Sequence, residues 1–386
     1  MRSILPTFFL VLVGTTGPAH ADTITVCARG CDHTSINAAI ASAIDGDVIQ
    51  LSAETYTEGS AIDTLGKSVT LRGVADDAGR PLSILDGGRT HRVIQCRSGE
   101  SGETSLMHLL VRNGRDTNGA GMLNVGSNPT ITDCIFVDNR CVARGGGMYN
   151  RKSSSPSLVR TRFIRNRASS GGGIYNFDAS SPTLVDCTLE GNIAPTIGGG
   201  MANWNQCSPI LTGCSFLENR SDETPGGGGG AMYNYAGSSP RLDACSFERN
   251  SATNGAGIQA IGGEMTLVGC LFRGNTADIC GGILILGTKT TATRCSFLDN
   301  SSEQSGAAMT ITGSEVLLDE CRFRGNTRVA VTIDEESALQ ISNDPTVPGD
   351  LDLDGDFDEA DARLAMSMFG IEAASPEETG STLEDR

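Results

Sequence analysis

The chain carries little helical signal. None of its repeated segments holds ten residues with apolar positions three and four apart, which excludes a helical bundle or a helical repeat. After an apolar run from Phe8 to Val13, no stretch approaches the roughly 18 apolar residues of a membrane-spanning helix. Histidine is scarce, at four residues, and no Cys-x-x-Cys pair occurs, so the usual spacings of a structural zinc site are missing. Positive charge is also in deficit: the net charge is −17, and residues 334–386 hold sixteen acids against two arginines. The rest of the chain is therefore close to neutral, and no basic field points to a nucleic acid. Aromatic residues make up 5% of the chain, with one Trp and five Tyr, so any clustering among them is informative.

What the chain has instead is a repeat. Gly145 to Asn166 reads GGGMYNRKSSSPSLVRTRFIRN, and Gly171 to Asn192, Gly198 to Asn219 and Gly229 to Asn250 repeat it closely. Looser copies end at Asn113, Asn139, Asn275, Asn300 and Asn326, at steps between 25 and 31 residues. Each copy holds two short segments of alternating apolar and polar residues, bounded by Gly, Ser, Pro or Asn, which is strand chemistry with turn punctuation. A strand-only unit of this length cannot bury its own apolar face, so copies must stack into a solenoid of parallel strands about 4.7–4.9 Å apart. Equivalent residues then form inward ladders: Met122, Met148, Ile174, Met201, Met232; Phe136, Phe163, Leu189, Phe216, Phe247, Phe272, Phe297, Phe323; and two rows of Asn whose amides bond along the stack.

The Phe-x-x-Asn element followed by Gly-Gly and a small or apolar residue, as in Phe216 to Asn219 and Gly229 to Met232, resembles the repeat of polymorphic outer-membrane-type proteins. More broadly, Cys27 to Ile341 resembles right-handed parallel β-helix proteins of the pectin-lyase-like superfamily. That resemblance, with the usual twist of strands, implies the right hand of the coil. The fold class expected is all-β, a right-handed parallel β-helix. The superfamily hosts lyases, hydrolases, adhesins and binding proteins alike, so the scaffold alone does not choose among them.

Along the chain, residues 1–21 read as a secretory signal ending in Ala19-His20-Ala21, which predicts a secreted or cell-surface product. Cys27 and Cys31 are close enough for a local disulfide in an oxidising compartment. Thr34 to Ala43 reads as a short amphipathic helix, with Thr34 or Ser35 as N-cap, closing the N-terminal end of a β-helix that spans 22–342. Cys134, Cys187, Cys214, Cys245, Cys270, Cys295 and Cys321 share one register, and small buried side chains explain that row better than a metal or disulfide.

Residues 343–349 read as a linker and 371–386 as a disordered tail. Between them Asp350, Asp352, Asp354, Asp356, Asp358 and Asp361 take positions 1, 3, 5, 7, 9 and 12 of a calcium loop, with Gly355 at the turn. Five carboxylates and the Asp356 carbonyl suit Ca²⁺. With a helix from Glu359 to Phe369 after it and none before, the segment 350–370 resembles a single dockerin repeat, EF-hand-like in its loop, which implies a cohesin-like docking protein as partner.

Candidate functional residues come from the outward flanks of the first Asn row. One flank reads Leu123, Tyr149, Tyr175, Ala202, Tyr233; the other reads Val125, Arg151, Phe177, Trp204, Tyr235. Four of the five tyrosines and the only tryptophan share this strip, and aromatic faces edged by Arg151 suit a polysaccharide or cell-surface glycan. Loops folding over the strip are the alternative. Among the arginines between Arg140 and Arg167, the ladder sets Arg160 beside Asp133 and Asp186, and Arg165 beside Asp138, so those two read as structural pairs. The expectation is a non-catalytic polysaccharide-binding or adhesion protein. The alternative is a polysaccharide lyase or glycoside hydrolase, against which stands the absence of any strand-borne pair of acids before the tail.

Overall fold

The computed structural model describes residues 21–221, 226–327, 329–342 and 371–373. Each coil is built from three strands, and like strands stack in parallel into three walls. The first wall has 13 strands, from Thr23–Val26 to Ala338–Ser342; the second has 11, from Thr55–Tyr56 to Arg322–Arg324; the third has 12, from Ile62–Asp63 to Ile371–Ala373. A typical coil runs from Ile174–Phe177 in the third wall, through Thr183–Val185 in the first and Thr188–Glu190 in the second, to Met201–Trp204 one rung further on in the third.

The expected two segments per repeat are thus three strands, because the second is bent. Asp186 has φ 52° and stands between Thr183–Val185 and Thr188–Glu190; Asp133, Arg160, Ala244, Arg294 and Glu320 do the same in other coils. A left-handed residue turns the strand through a corner without a gap in the inward pattern. Non-glycine residues are strained there, and nothing in Asp, Arg, Ala or Glu announces it.

The inward ladders fill the lumen. Met148, Ile174, Met201 and Met232 are fully buried, as are Phe136, Phe163, Leu189, Phe216, Phe247, Phe272 and Phe297. Neighbouring phenyl rings stack 4.7–4.9 Å apart at 5–8°, the spacing of the strands themselves. In the Asn row at the second corner, the Asn192 side chain makes four hydrogen bonds. Its Oδ1 accepts from the backbone N–H (3.0 Å) and Nδ2 (3.1 Å) of Asn166, and its Nδ2 donates to Asn219 Oδ1 (2.9 Å) and to the Phe163 carbonyl (2.9 Å). Every polar atom is satisfied in a place that water cannot reach.

The other Asn row is a single file. Nδ2 of Asn124, Asn150, Asn176 and Asn203 each donates to the next Oδ1 at 2.7–2.8 Å. A directional file must end with one orphan of each kind, and Asn124 Oδ1 and Asn234 Nδ2 are those orphans, since Cys96 and Ala260 stand beyond them. Asn113 is not a rung of the Asn192 row. It pairs in register with Asp138 rather than Asn139, takes the left-handed corner (φ 54°), and donates to Asp86.

The cysteine row is a row of free, buried thiols apart from the half-buried Cys321. The thiol one coil below and burial push Cys214, Cys245, Cys270 and Cys295 up to about 12, so they stay protonated at neutral pH. Among the described residues no cluster of His, Cys, Asp and Glu is placed to hold a metal. Cys27 and Cys31 are joined by a disulfide.

At the N-terminal end, helix α1 (Ile36–Ser42) has Ser35 as N-cap and buries Ile36, Ala39 and Ile40. Its ends are held by residues of the next coils: Glu58 accepts from the Ile36 and Asn37 N–H groups, and Lys67 Nζ donates to the Ile40, Ala41 and Ala43 carbonyls. Both charges oppose the helix dipole's ends.

Glu100, 1% exposed, accepts from Thr64 Oγ1, the Gly66 and Ser98 N–H groups and Ser127 Oγ, tying three coils together. Burial pushes its carboxyl up, but the hydrogen bonds from Ser127, Thr64 and the backbone win and hold it below its ordinary 4.5. A depressed carboxylate stabilises the fold above the unfolded pKa, and that stability is lost as pH falls below about 4.5 through the folded value. Glu100→Gln is therefore expected to lower the midpoint of thermal unfolding near neutral pH and to lose less on acidification than the parent. Parallel melting curves at about pH 6 and about pH 3 check this, and an unchanged acid response refutes it.

The tail differs from expectation at one point. Ile371–Ala373 is not disordered but a strand, pairing in parallel with Val331–Ile333 as the last rung of the third wall. The expected signal sequence, apart from Ala21, and the linker and calcium loop, Asp350 to Asp361, lie outside the described residues.

Candidate binding surface

The strip forms on the outer face of the third wall, where alternation sends Met148 and Asn150 inward and Tyr149 and Arg151 outward. Register holds it rung by rung: Tyr149 on Tyr175, Ala202 on Tyr233, Phe177 on Trp204, Trp204 on Tyr235. The two flanks then part company.

Tyr149, Tyr175 and Tyr233 are 3%, 3% and 7% exposed, which corrects the reading of them as ligand contacts. They form a second small core with Leu123, Ile197 and Ala202. What covers them is a fourth ladder that the repeat pattern did not disclose. Between the second and third walls the chain pairs again, through Arg115–Asn118 on Arg140–Arg144, bridges at Arg167, Ser170, Ile193 and Ile197, and a four-stranded run from Arg220–Ser221 to Ser301–Ser302. A left-handed glycine folds each coil from this ladder onto the third wall; Gly145, Gly171, Gly198 and Gly229 have φ between 62° and 69°. The Arg144 guanidinium, on the ladder, lies 5.6 Å from the Tyr175 ring centre and 6.0 Å from that of Phe177. Burial pushes the Tyr175 and Tyr233 phenols up to about 12.

Phe177, Trp204 and Tyr235 stay half-exposed on top of that floor. Trp204 and Tyr235 ring centres are 4.4 Å apart at a tilt of 45°, and Trp204 also stacks on Tyr233 at 6.3 Å. The ladder continues upward through Ile261 and Leu286. At its lower end stands Arg151, whose buried Nε finds no hydrogen-bond partner among the described residues. The exposed surface is therefore a narrow aromatic ridge along the solenoid axis, with cationic groups at one end. Sequence reasoning missed Arg144, because its neighbours in sequence say nothing of which coil its side chain reaches.

The remaining arginines of the cluster sit elsewhere. Arg160 pairs with Asp133 (2.7 Å) and Arg165 with Asp138 (2.9 Å), as the ladder predicts, while Arg162 reaches Glu190 (3.0 Å). All are on the solvent side of the corners and the second wall, where such pairs are worth about 0–1 kcal/mol each.

Compared with known families, the one described as "Right handed beta helix region" matches residues 108–247, 167–297 and 241–344. The chain belongs to this family. The β-helix is thus right-handed, and its matched part coincides with the regular coils. Among solved structures it is similar to pectate lyase Pel9A, at 12% identity over 81% of this chain and 79% of that one, with a TM-score of 0.40. It is also similar to a mannuronic acid specific polysaccharide family 6 lyase from human gut microbiota, at 10% identity over 91% and 96%, with a TM-score of 0.33. Comparison with curated proteins gave no match. No helix among the described residues is long and apolar enough to cross a membrane.

Proposed function

We propose that this β-helix is an exported, non-catalytic carbohydrate-binding or cell-surface adhesion protein that holds an extended glycan along its aromatic ridge. The observation that supports this reading is the run of three half-exposed rings, Phe177, Trp204 and Tyr235, on consecutive rungs over a buried tyrosine floor. A rigid floor keeps the rings in place before a ligand arrives, so little ordering entropy opposes binding. Flat aromatic faces cover the apolar face of a sugar ring, and the half-buried Arg151 side chain puts a positive charge at the ridge's end, suited to a hydroxyl or carboxylate.

In the same reading the loop Asp350 to Asp361 binds Ca²⁺. Hard carboxylate and carbonyl oxygens are the donors this cation takes, and the segment serves as a docking or sorting element.

The test is a panel of soluble and insoluble glycans, with calcium, scored together for retention and for release of unsaturated or reducing ends. Retention without products is expected, weakened at least tenfold (about 1.4 kcal/mol) in a Trp204→Ala/Tyr235→Ala double variant and unchanged in Tyr233→Phe. Product formation would overturn the non-catalytic reading in favour of a lyase or hydrolase, and silence on every glycan would favour a structural spacer.

A further inference from the structure

Elsewhere on the outside of the coils, opposite charges meet one coil apart. Arg112 sits beside Asp86, Arg249 beside Glu218 and Arg273 beside Glu248. The fourth ladder breaks this pattern. Arg115 is in register with Arg140, Arg140 bridges to Arg167, Arg167 to Ile193 and Ile193 to Arg220. Four arginines thus stand on five consecutive rungs, about 4.8 Å apart.

The repeat aligns them, because Arg140, Arg167 and Arg220 each follow directly on an asparagine of the second corner, Asn139, Asn166 and Asn219. Arg115 and Arg140 are exposed and make no ion pair among the described residues. Like charges directly opposite each other on neighbouring strands repel, so this stacking costs stability, and for Arg115 and Arg140 no acid offsets it. A fold that sets acids against its other arginines keeps these two in a column that its own stability does not require.

We propose that the arginine column is a second binding site, separate from the aromatic ridge, for a linear acidic polysaccharide lying along the solenoid axis. Guanidinium forks match carboxylate and sulfate oxygens two by two, and the rung spacing is close to the length of one sugar unit, so successive charged sugars meet successive rungs. Val142, 72% exposed, lies two residues beyond Arg140 on the same strand and offers contact to the C–H face of a sugar. A nucleic acid fits less well. The column's rungs carry no aromatic residue on which a base could stack, and the cations stand in single file on a chain of net charge −17. Arg144, at the far end of the same strand, lies over the Tyr175 and Phe177 rings and belongs to the ridge, so the two sites are neighbours that do not share residues.

Affinity electrophoresis of the full-length protein tests this, in gels holding dextran sulfate, polygalacturonate, neutral dextran or duplex DNA. Retardation by at least one of the acidic polysaccharides is expected, weakening between about 50 and about 300 mM salt, and the one that retards tells sulfate from carboxylate. Arg140→Glu sets an acid between Arg115 and Arg167, as the pattern elsewhere has it. It is expected to weaken retardation at least tenfold while leaving the midpoint of thermal unfolding unchanged or higher. The charge-matched Arg322→Glu, on the second wall, and the ridge variant Trp204→Ala/Tyr235→Ala are expected to bind within twofold of the parent. No retardation by either acidic polysaccharide overturns the proposal, as does equal retardation of parent and Arg140→Glu. Loss of retardation in the ridge variant overturns it too, since the polymer would then lie on the ridge. Neutral dextran or duplex DNA retarding as strongly overturns the choice of an acidic polysaccharide. A lowered midpoint in Arg140→Glu shows that the column serves the fold, and equally overturns it.

Discussion

Asn219→Ala is expected to destabilise the solenoid by about 3–5 kcal/mol, although it removes no charge and little apolar area. The side chain accepts from the Asn192 N–H (3.1 Å) and Nδ2 (2.9 Å), and donates to the Leu189 carbonyl (2.8 Å) and Asn250 Oδ1 (3.1 Å). Alanine strands the Asn192 N–H and takes one partner each from the Leu189 carbonyl, Asn192 Nδ2 and Asn250 Oδ1, the last two keeping the Phe163 carbonyl and the Asn219 N–H, in a lumen sealed on both sides by further coils. Each stranded buried group costs about 1–3 kcal/mol, which dominates over the small cavity. Asn113→Ala supplies the contrast. The repeat pattern treats it as an equivalent closing asparagine, but it sits at a corner and donates only to Asp86, so its loss is expected to cost about 1 kcal/mol. Denaturant unfolding followed by circular dichroism measures both, and equal effects would show that the amide row is not a main source of stability. Because each coil touches only its neighbours, the Asn219 variant should also split the transition, the coils on either side melting separately.

Gly171→Ala is expected to cost about 3 kcal/mol or more and to loosen the candidate surface. Its φ of +62° is strained for any residue with a Cβ, and that Cβ would stand 2.5 Å from the Ile174 carbonyl and 2.7 Å from Tyr175 Cβ. The first term alone is about 1–2 kcal/mol. The second cannot relax cheaply, since both atoms belong to the wall on which the tyrosine floor is built. Gly269→Ala separates the two terms. It has φ +60° with nothing within 4 Å of its added Cβ, so only the backbone term of about 1 kcal/mol is expected. Near-ultraviolet circular dichroism, which reads the packing of Tyr149 and Tyr175, should change in the Gly171 variant and not in the Gly269 one. Similar costs and unchanged spectra in both would mean that the fourth ladder does not depend on that close approach.

The solenoid and its inward ladders were legible because a stack of coils places the same side chain in the same environment many times over. Met148, Phe163 and Asn192 each have counterparts at a fixed step, so period alone assigns them to the lumen. The corners were not legible. Arg160, Asp186 and Ala244 take a left-handed conformation that no local preference of theirs requests, and the coils stacked above and below impose it. Asn113 failed for a related reason, since a one-residue shift at an irregular coil preserves the spacing while changing the role.

For the candidate surface, the sequence by itself determined which residues share the outer face of the third wall, because alternation along a strand is fixed by backbone geometry and register by the repeat. Only the tertiary structure decided which of them meet solvent. Tyr175 and Phe177 point to the same side of the same wall, and the Arg144 guanidinium lies near both rings, yet Tyr175 is buried beneath the fourth ladder and Phe177 is half-exposed. That difference arises from a chain segment crossing between walls, held by backbone hydrogen bonds to neighbouring coils that leave no trace in side-chain periodicity.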